Sequence, residues 1–406
     1  MANPTLRPDH SLTLLKGSEA LFPALIEAIS AARVEVLLET YIFEFDRSVI
    51  PVAQALEQAA ARGVSVHVVV DGVGTGDLPD EWARRWKAAG LHWHVFNPAR
   101  GRRVLLPKRW RRLHRKLCVV DGTLAFCGGI NLLDDYYDPN YGILDKPRLD
   151  FAVRVTGPLV EDMHDTMTRL WSRLQVMREA RERDFAGALQ AVRVAARAGI
   201  ERPEPSPRTG LGAIAALVLR DNFRYRRRIE GTYRIAISQA RREILIANAY
   251  FVPGVQLQRA LLRAARRGVK ITLLLQGRYE YFMQYHASRA VYGLLLEAGI
   301  EIIEYEASFL HAKVAVMDSV QGAALATVGS SNLEPLSLLL AREANVFVRD
   351  DAFASELREH LLQAMSQQGR RVERDAHSKR PLLTRALSWV AYAVMRVGLL
   401  IVGKRY

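Results

Sequence analysis

Cysteine is almost absent from the chain, whose 406 residues include only Cys118 and Cys127. Two cysteines cannot build a disulfide framework, and their separation matches no zinc-binding or redox motif. We therefore expect both to be reduced, buried and apolar in behaviour, which suits the cytoplasm. The N-terminal stretch MANPTLRPDHSL also lacks a basic region followed by an apolar run, so no signal peptide is expected.

Acidic residues are outnumbered, with 43 Asp and Glu against 57 Lys and Arg, for a formal charge of +14. Half of the residues are apolar and a quarter are charged, which is typical of a globular protein, and the length is sufficient for two domains. The excess of positive charge favours a polyanionic partner, either nucleic acid or an anionic membrane surface. Charge alone does not choose between the two.

An internal repeat organises the chain. VEVLLETY at 34–41 resembles EILIANAY at 243–250, and ARGVSVHVVVDG at 61–72 resembles RRGVKITLLLQG at 266–277. Further on, an Ala-Gly pair and then HRKLCVVD at 114–121 find counterparts in a second Ala-Gly pair and HAKVAVMD at 311–318. Each half alternates helical stretches with short apolar strands, so the repeat predicts duplicated α/β units.

The last repeat carries chemistry. Strand periodicity places His114 and Lys116 side by side on one face, and His311 and Lys313 do the same in the second copy. Asp121 and Asp318 end the two motifs, at positions that suit turns. Two glycine-containing turns follow, GGIN at 128–131 and GSSN at 329–332.

These motifs resemble the phospholipase D superfamily, whose signature is H-x-K-x4-D followed by G-[GS]-x-N. The resemblance implies two α/β/α sandwich domains related by pseudo-twofold symmetry, with the active site at their interface. It also implies covalent catalysis without metal or cofactor, and no metal-ligand spacing is evident in the sequence. A neutral imidazole can attack phosphorus while an imidazolium protonates the leaving alkoxide.

By this resemblance His114 is the nucleophile and His311 the general acid, although two equivalent motifs do not establish which is which. The other implied site residues are the phosphate ligands Lys116, Lys313, Asn131 and Asn332, with a one-sided contribution from Ser330. Family members also orient each histidine with a downstream carboxylate. Asp150 and Glu343 match those positions, 36 and 32 residues after His114 and His311.

Three features favour a lipid substrate over nucleic acid. The run GRRVLLPKRWRRLHRK at 101–116 surrounds Trp110 with basic residues, which suits an anionic membrane but would also suit single-stranded nucleic acid. Residues 211–228 join an apolar stretch to five arginines, with an ordinary first helix of the second domain as the alternative. Residues 382–402 form an apolar segment of bilayer-spanning length.

Two arginines argue against a spanning orientation for that last segment. Arg385 and Arg396 share one helical face, close to Ser388 and Tyr392, and each would be costly at a bilayer centre. We therefore expect a helix lying in the membrane interface with Trp389 as anchor. The alternative is a helix packed on the protein or on a partner.

Within the superfamily the chain is most similar to bacterial cardiolipin synthases, of the type without N-terminal transmembrane helices. ALVLRDNFRYRRRIEGTYRIAI, RREILIANAYFVP and VRVTGPLVEDM carry this similarity. It implies transfer of a phosphatidyl group between anionic phospholipids at the cytoplasmic face of the bacterial inner membrane. A phospholipase D or nuclease activity is the alternative, and a non-enzymatic membrane scaffold is disfavoured because both motifs are intact. The expected domains are 1–180, a linker at 181–210, 211–370, and a membrane-associating tail at 371–406.

Overall fold

The structure is a computed structural model. It describes residues 5–98, 111–138, 140–182, 212–221, 225–318, 322–334 and 341–402. Several predictions fall outside these ranges. They concern most of the expected linker and the basic run around Trp110, with Arg102, Arg103, Lys108 and Arg109.

Strands and helices alternate along the first part of the chain. They are β1 Arg7–Lys16, α1 Gly17–Ala31, β2 Glu35–Thr40, α2 Ile50–Ala61, β3 Ser65–Asp71, α3 Asp80–Ala88, β4 His92–Phe96, β5 Arg112–Leu113, β6 Lys116–Val120, β7 Leu124–Gly128, β8 Tyr137–Asp138, β9 Gly142–Ile143, β10 Phe151–Thr156 and α4 Leu159–Glu182.

The second part repeats the alternation. Its elements are β11 Ala213–Arg220, α5 Arg228–Gln239, β12 Glu243–Asn248, α6 Val255–Arg266, β13 Lys270–Gln276, α7 Phe282–Ala290, α8 Tyr292–Glu297, β14 Glu301–Tyr305, β15 Lys313–Met317, β16 Leu325–Gly329, β17 Ala341–Arg349, α9 Asp351–Gln368, β18 Gly369–Arg371, α10 Arg374–Ser378 and α11 Leu382–Val402.

The chain divides into two compact units. The N-terminal unit comprises Leu6–Asp134 and Ala152–Leu217, and the C-terminal unit comprises Asp135–Phe151 and Val218–Tyr406, as far as these ranges are described. The sequence repeat predicts a simple cut between two halves. The structure differs, because the segment Asp135–Phe151 from the first half packs with the second.

In the N-terminal unit the strand order is β1-β10-β7-β6-β2-β3-β4. Strands β2, β3 and β4 run parallel, whereas β6 and β7 are antiparallel to their neighbours. Alternate residues of β3 face opposite layers: Val68 packs with the α1–α3 side, and Val69 packs with Leu170 of α4. This unit is therefore an α/β/α sandwich.

The C-terminal unit has the order β18-β14-β13-β12-β15-β16-β17, and the last residues of β11, from Val218 to Arg220, lie beside β17. Strands β12, β13 and β14 are parallel and β15 and β16 antiparallel, so the run β16-β15-β12-β13-β14 matches β7-β6-β2-β3-β4 of the other unit. The four sequence repeats lie on these equivalent strands. The predicted duplicated α/β architecture is confirmed.

The apolar stretch before the arginines near 224–228 is a strand, so its interpretation as the first helix of the second domain is wrong. Ala213–Arg220 is strand β11, and helix α5 begins only at Arg228. The branched and small residues of β11 alternate in burial, and Arg220 at its end is buried rather than solvated.

The C-terminal segment forms helix α11, whose bounds match the predicted segment. None of the helices described for this chain combines the length and apolar character that a bilayer crossing demands. The helix packs on α7 through Ala391 and Met395, and Ser388 on the same side is buried. Ser388 and Tyr392 of the predicted stripe therefore face the protein, as in the packed alternative, whereas Arg385 is exposed.

Candidate active site

In the C-terminal unit, His311 lies two residues before the first residue of β15. Lys313 opens that strand, paired with Asn248 of β12, and its side chain is fully buried. The Lys313 ammonium donates a hydrogen bond to the His311 carbonyl oxygen. Lys313 thus fixes the backbone of His311.

A carboxylate from the first half of the chain orients this histidine. Asp150 Oδ2 lies 2.6 Å from Nδ1 of His311, and its other oxygen accepts the Phe151 amide at 2.8 Å. Asp150 is buried, whereas the imidazole keeps about a fifth of its side-chain surface exposed. With Nδ1 held by a carboxylate, Nε2 is the ring nitrogen directed away from that contact.

Backbone pairing places Asp150 at this position. The Leu149 amide donates to Phe309 O at 3.0 Å, and the His311 amide donates to Leu149 O at 2.9 Å. An ion pair between Arg148 and Asp138 at 2.7 Å fastens the segment internally. The motif spacing predicts that Asp150 orients His114; its carboxylate contacts His311, and an orienting role toward His114 stays a prediction.

The Lys313 ammonium lies among carboxylates. Asp150 Oδ2 is 3.9 Å from Nζ. Burial lowers the pKa of Lys313 to about 8, and the carboxylates Asp150, Glu343, Glu280 and Glu334 oppose that shift. The lysine is thus a cation with a proton that is unusually easily lost.

Glu343, on β17, is fully buried in the same unit. The Ser330 hydroxyl donates to its carboxylate at 2.5 Å, and Arg220 lies 3.9 Å away. The Ala344 amide in turn donates to Ser330 Oγ at 3.1 Å. The sequence predicts that Ser330 binds phosphate, but here its hydroxyl serves Glu343. That Glu343 orients a histidine stays a prediction.

The N-terminal motif repeats the lysine arrangement. Lys116 opens β6, is buried, and donates from Nζ to His114 O at 2.7 Å. The His114 ring lies against Tyr41, with 5.0 Å between ring centroids. Arg115 between them is buried in an ion pair with Glu39. The first motif is therefore held as firmly as the second.

The two motif aspartates brace the opposite ends of these strands. Asp121 accepts the backbone amides of residues 33–35 at 2.8–3.0 Å. Asp318 accepts those of residues 241–243 at 3.0–3.1 Å. Each carboxylate thus anchors the start of the neighbouring parallel strand, which accords with the turn interpretation; that Asp121 and Asp318 also belong to the catalytic set stays a prediction.

The two motif asparagines are buried in their own units. Asn131 accepts the Ile42 amide at 3.4 Å, and Asn332 beside β16 is 3% exposed. Among the described residues no group of three or more His, Cys, Asp or Glu side chains could hold a metal ion.

Comparison with known proteins decides the family. The family model described as "Cardiolipin synthase, PLD-like domain" matches residues 25–146 and 233–365. Cardiolipin synthase B of Escherichia coli K12 is 36% identical over 87% of this chain and 80% of its own length. The Salmonella typhi protein of the same name is 34% identical over 96% and 89%. The chain belongs to the cardiolipin synthase family.

A solved structure shares the fold. Phosphatidylserine synthase of Haemophilus influenzae Rd KW20 superposes with a TM-score of 0.68 over 98% of this chain and 97% of its own, at 12% identity. More distantly in sequence, the major cardiolipin synthase of Bacillus subtilis is 28% identical over 86% of this chain and 67% of its own length. The fold is thus the phospholipase D-like one that the two motifs predict.

Sequence reasoning missed one pair of supports in this cardiolipin synthase family member. Asp71 at the end of β3 accepts the Leu113 amide at 2.7 Å, and Gln276 at the end of β13 accepts the Leu310 amide at 2.8 Å. Each bond holds the residue immediately before a motif histidine. Asp71 and Gln276 occupy the same position in the aligned segments 61–72 and 266–277. The alignment of the two halves could therefore have identified them as a pair.

A second missed pair lies near Lys313. Tyr250, which ends the repeat EILIANAY, donates its hydroxyl to Glu280 at 2.6 Å. Burial raises the pKa of Glu280, and the nearby Asp138 adds to the shift while Arg148 and Lys313 oppose it. The loop that carries Glu280 therefore lies within electrostatic range of Lys313.

Proposed function

We propose that this protein is a cardiolipin synthase that transfers a phosphatidyl group from phosphatidylglycerol to the hydroxyl of a second phospholipid. The observation that carries the proposal is the His311–Asp150 pair beside the buried Lys313 ammonium. A carboxylate on Nδ1 favours the imidazolium that a general acid must form. The relatives named above carry cardiolipin synthase in their names, which supports the same choice of substrate.

The first half-reaction forms a covalent intermediate. His114 attacks phosphorus with a ring nitrogen, making an N–P bond, while the P–O bond to glycerol breaks. His311 gives its proton to the departing glycerol oxygen, because an unprotonated alkoxide is a poor leaving group. Lys116, Lys313, Asn131 and Asn332 hold the non-bridging oxygens and stabilise the charge that develops on them.

The second half-reaction reverses these roles. His311, now neutral, takes the proton from the hydroxyl of the second phospholipid, whose oxygen attacks phosphorus. The N–P bond breaks and His114 is regenerated. Free glycerol and cardiolipin are the products, and no cofactor is consumed. We place this reaction at the cytoplasmic face of the bacterial inner membrane, with the protein bound peripherally to anionic phospholipids.

Purified protein with phosphatidylglycerol vesicles tests the proposal. We expect cardiolipin and glycerol in equal amounts, and His311→Ala should abolish both. His92→Ala, which removes an exposed imidazole on β4, is the matched control and should retain activity. Phosphatidic acid and glycerol without cardiolipin would instead identify a hydrolase.

A further inference from the structure

Helix α11 presents an apolar stripe to solvent on the side opposite its contact with α7. Leu383, Val390, Val394 and Val397 recur at helical spacing on this stripe, and each is more than half exposed. Trp389 on its flank is exposed to a similar degree. A buried side and an exposed apolar side on one helix are unusual for a surface that meets only water.

The charge around this helix is of one sign. Between residues 376 and 406 the sequence has six basic residues and no Asp or Glu. Lys379 and Arg385 are exposed at the start of the helix. Apolar side chains flanked by cations match the acyl and headgroup layers of an anionic bilayer, which attracts basic residues over a Debye length.

Helix α11 also packs near the start of α7, where Met283 joins the contact between the two helices. Helix α7, on which α11 packs, begins at Phe282, immediately after the loop residues Tyr279, Glu280 and Tyr281. The three aromatic residues in this stretch are about half exposed, and the Tyr141 hydroxyl donates to the Tyr279 carbonyl oxygen. Exposed tyrosines are typical of membrane interfaces, because the ring is apolar and the hydroxyl is polar.

We propose that the outward face of α11, continued by Tyr279, Tyr281 and Phe282, is the surface by which the protein docks on an anionic phospholipid bilayer. The packed side, with Ser388, Ala391 and Met395, holds α11 on α7, so the helix lies along the protein surface and does not cross the membrane. The inference deepens the proposed function, on which its choice of lipid partner rests. It explains how Lys313 and His311 are brought to substrates that never leave the bilayer.

Vesicle flotation of the full chain tests the surface without requiring turnover. We expect the protein to bind vesicles containing phosphatidylglycerol and to bind those of pure phosphatidylcholine much more weakly. Val390→Glu with Val394→Glu should weaken binding by roughly tenfold for each substitution. Each change removes an apolar side chain that docking would bury in the bilayer and adds a negative charge that the anionic lipids repel. The matched control is Leu294→Glu with Met177→Glu, which places the same charges at two exposed apolar positions outside the stripe.

Activity on two forms of one substrate separates docking from chemistry. The Val390→Glu, Val394→Glu variant should make less cardiolipin from vesicles, in proportion to lost binding. It should keep wild-type turnover of a short-chain phosphatidylglycerol below its micelle concentration, which also shows that it is folded. Inactive wild-type protein that still floats with vesicles would refute the proposed function and leave the docking surface standing.

Two results obtained with the Val390→Glu, Val394→Glu variant would overturn the docking surface. One is unchanged flotation of the double variant. The other is a wild-type dimer in solution that the variant converts to monomer, because a second copy would then cover the stripe. Quenching of Trp389 fluorescence by brominated lipid is an independent test, because it uses protein in which the stripe is unaltered. The Trp389→Phe variant gives the fluorescence of the other tryptophans, which is subtracted. Absence of quenching would also overturn the proposal.

Discussion

Asp150 and His311 are 161 residues apart in the chain, yet their side chains are joined by a 2.6 Å contact between Oδ2 and Nδ1. The contact exists because Asp135–Phe151 leaves the unit of its own motif and pairs through Leu149 with the strand entry before His311. The histidine of the second motif is therefore held by a carboxylate from the first half of the chain.

The first prediction concerns this contact. Asp150→Asn keeps the size of the side chain but removes the charge that favours the imidazolium and its tautomer. We expect kcat for cardiolipin formation to fall on the order of 10³- to 10⁴-fold at a temperature where the variant is folded, with some loss of stability because the buried Lys313 ammonium loses a neighbouring charge. Asp145→Asn, in the same segment but exposed, is the matched control and should be active. Near-normal turnover by Asp150→Asn would remove the orienting role.

Much of the architecture follows from the sequence repeat, since aligned glycines and β-branched runs lie on equivalent strands of the two units. The pairing of Asp150 does not follow from it. The spacing between His114 and Asp150 gives only their distance along the chain. Which histidine the carboxylate contacts depends on the unit with which the segment Asp135–Phe151 packs. The orientation of α11 could not be predicted from the sequence either. Helical periodicity places Ser388 and Arg396 on one face, but it does not show which face contacts the protein.

A second prediction separates positioning from phosphate binding at Ser330. Ser330→Ala leaves the buried Glu343 without its hydroxyl donor, so we expect a loss of about 1–3 kcal/mol in the free energy of unfolding. If the hydroxyl does not touch substrate, KM should stay within a few-fold of wild type. Ser331→Ala, also fully buried but without a contact to Glu343, is the control. A large rise in KM at full stability would restore the phosphate role.

A third prediction concerns the aspartates that end the motifs. Asp318→Asn replaces a carboxylate that accepts three backbone amides by a side chain with one acceptor oxygen. We expect a loss of about 0.5–1.5 kcal/mol in unfolding free energy, because these amides lie at exposed or half-buried positions where water can replace the lost acceptor. At a temperature where the variant is folded, turnover should remain close to wild type. Asp121→Asn should behave alike, and a catalytic loss without a stability loss would assign these residues to the chemistry.

A fourth prediction follows from the titration of Lys313, whose pKa burial lowers to about 8. The ammonium must be charged to stabilise a phosphoryl oxygen. We therefore expect kcat/KM to fall as pH rises through about 8, approaching tenfold per pH unit. Lys313→Arg, which stays charged, should lose activity at neutral pH but show no such alkaline limb. An unchanged limb in that variant would assign the titration to another group.

The same lysine should affect stability in the opposite direction. In the unfolded chain its pKa lies near 10.5, so between about 8 and 10.5 the unfolded state holds a proton that the folded state has lost. Stability then rises with pH in that window, and below it the folded state bears the full cost of a buried charge. Lys313→Met removes this cost. The variant should therefore be more stable than the wild type at pH 8, and this advantage should shrink by on the order of 3 kcal/mol by pH 10.5. Urea denaturation of both proteins across this range measures the difference, in which the protonation of all other groups cancels. A constant difference across that window would mean that the Lys313 pKa is not lowered by burial.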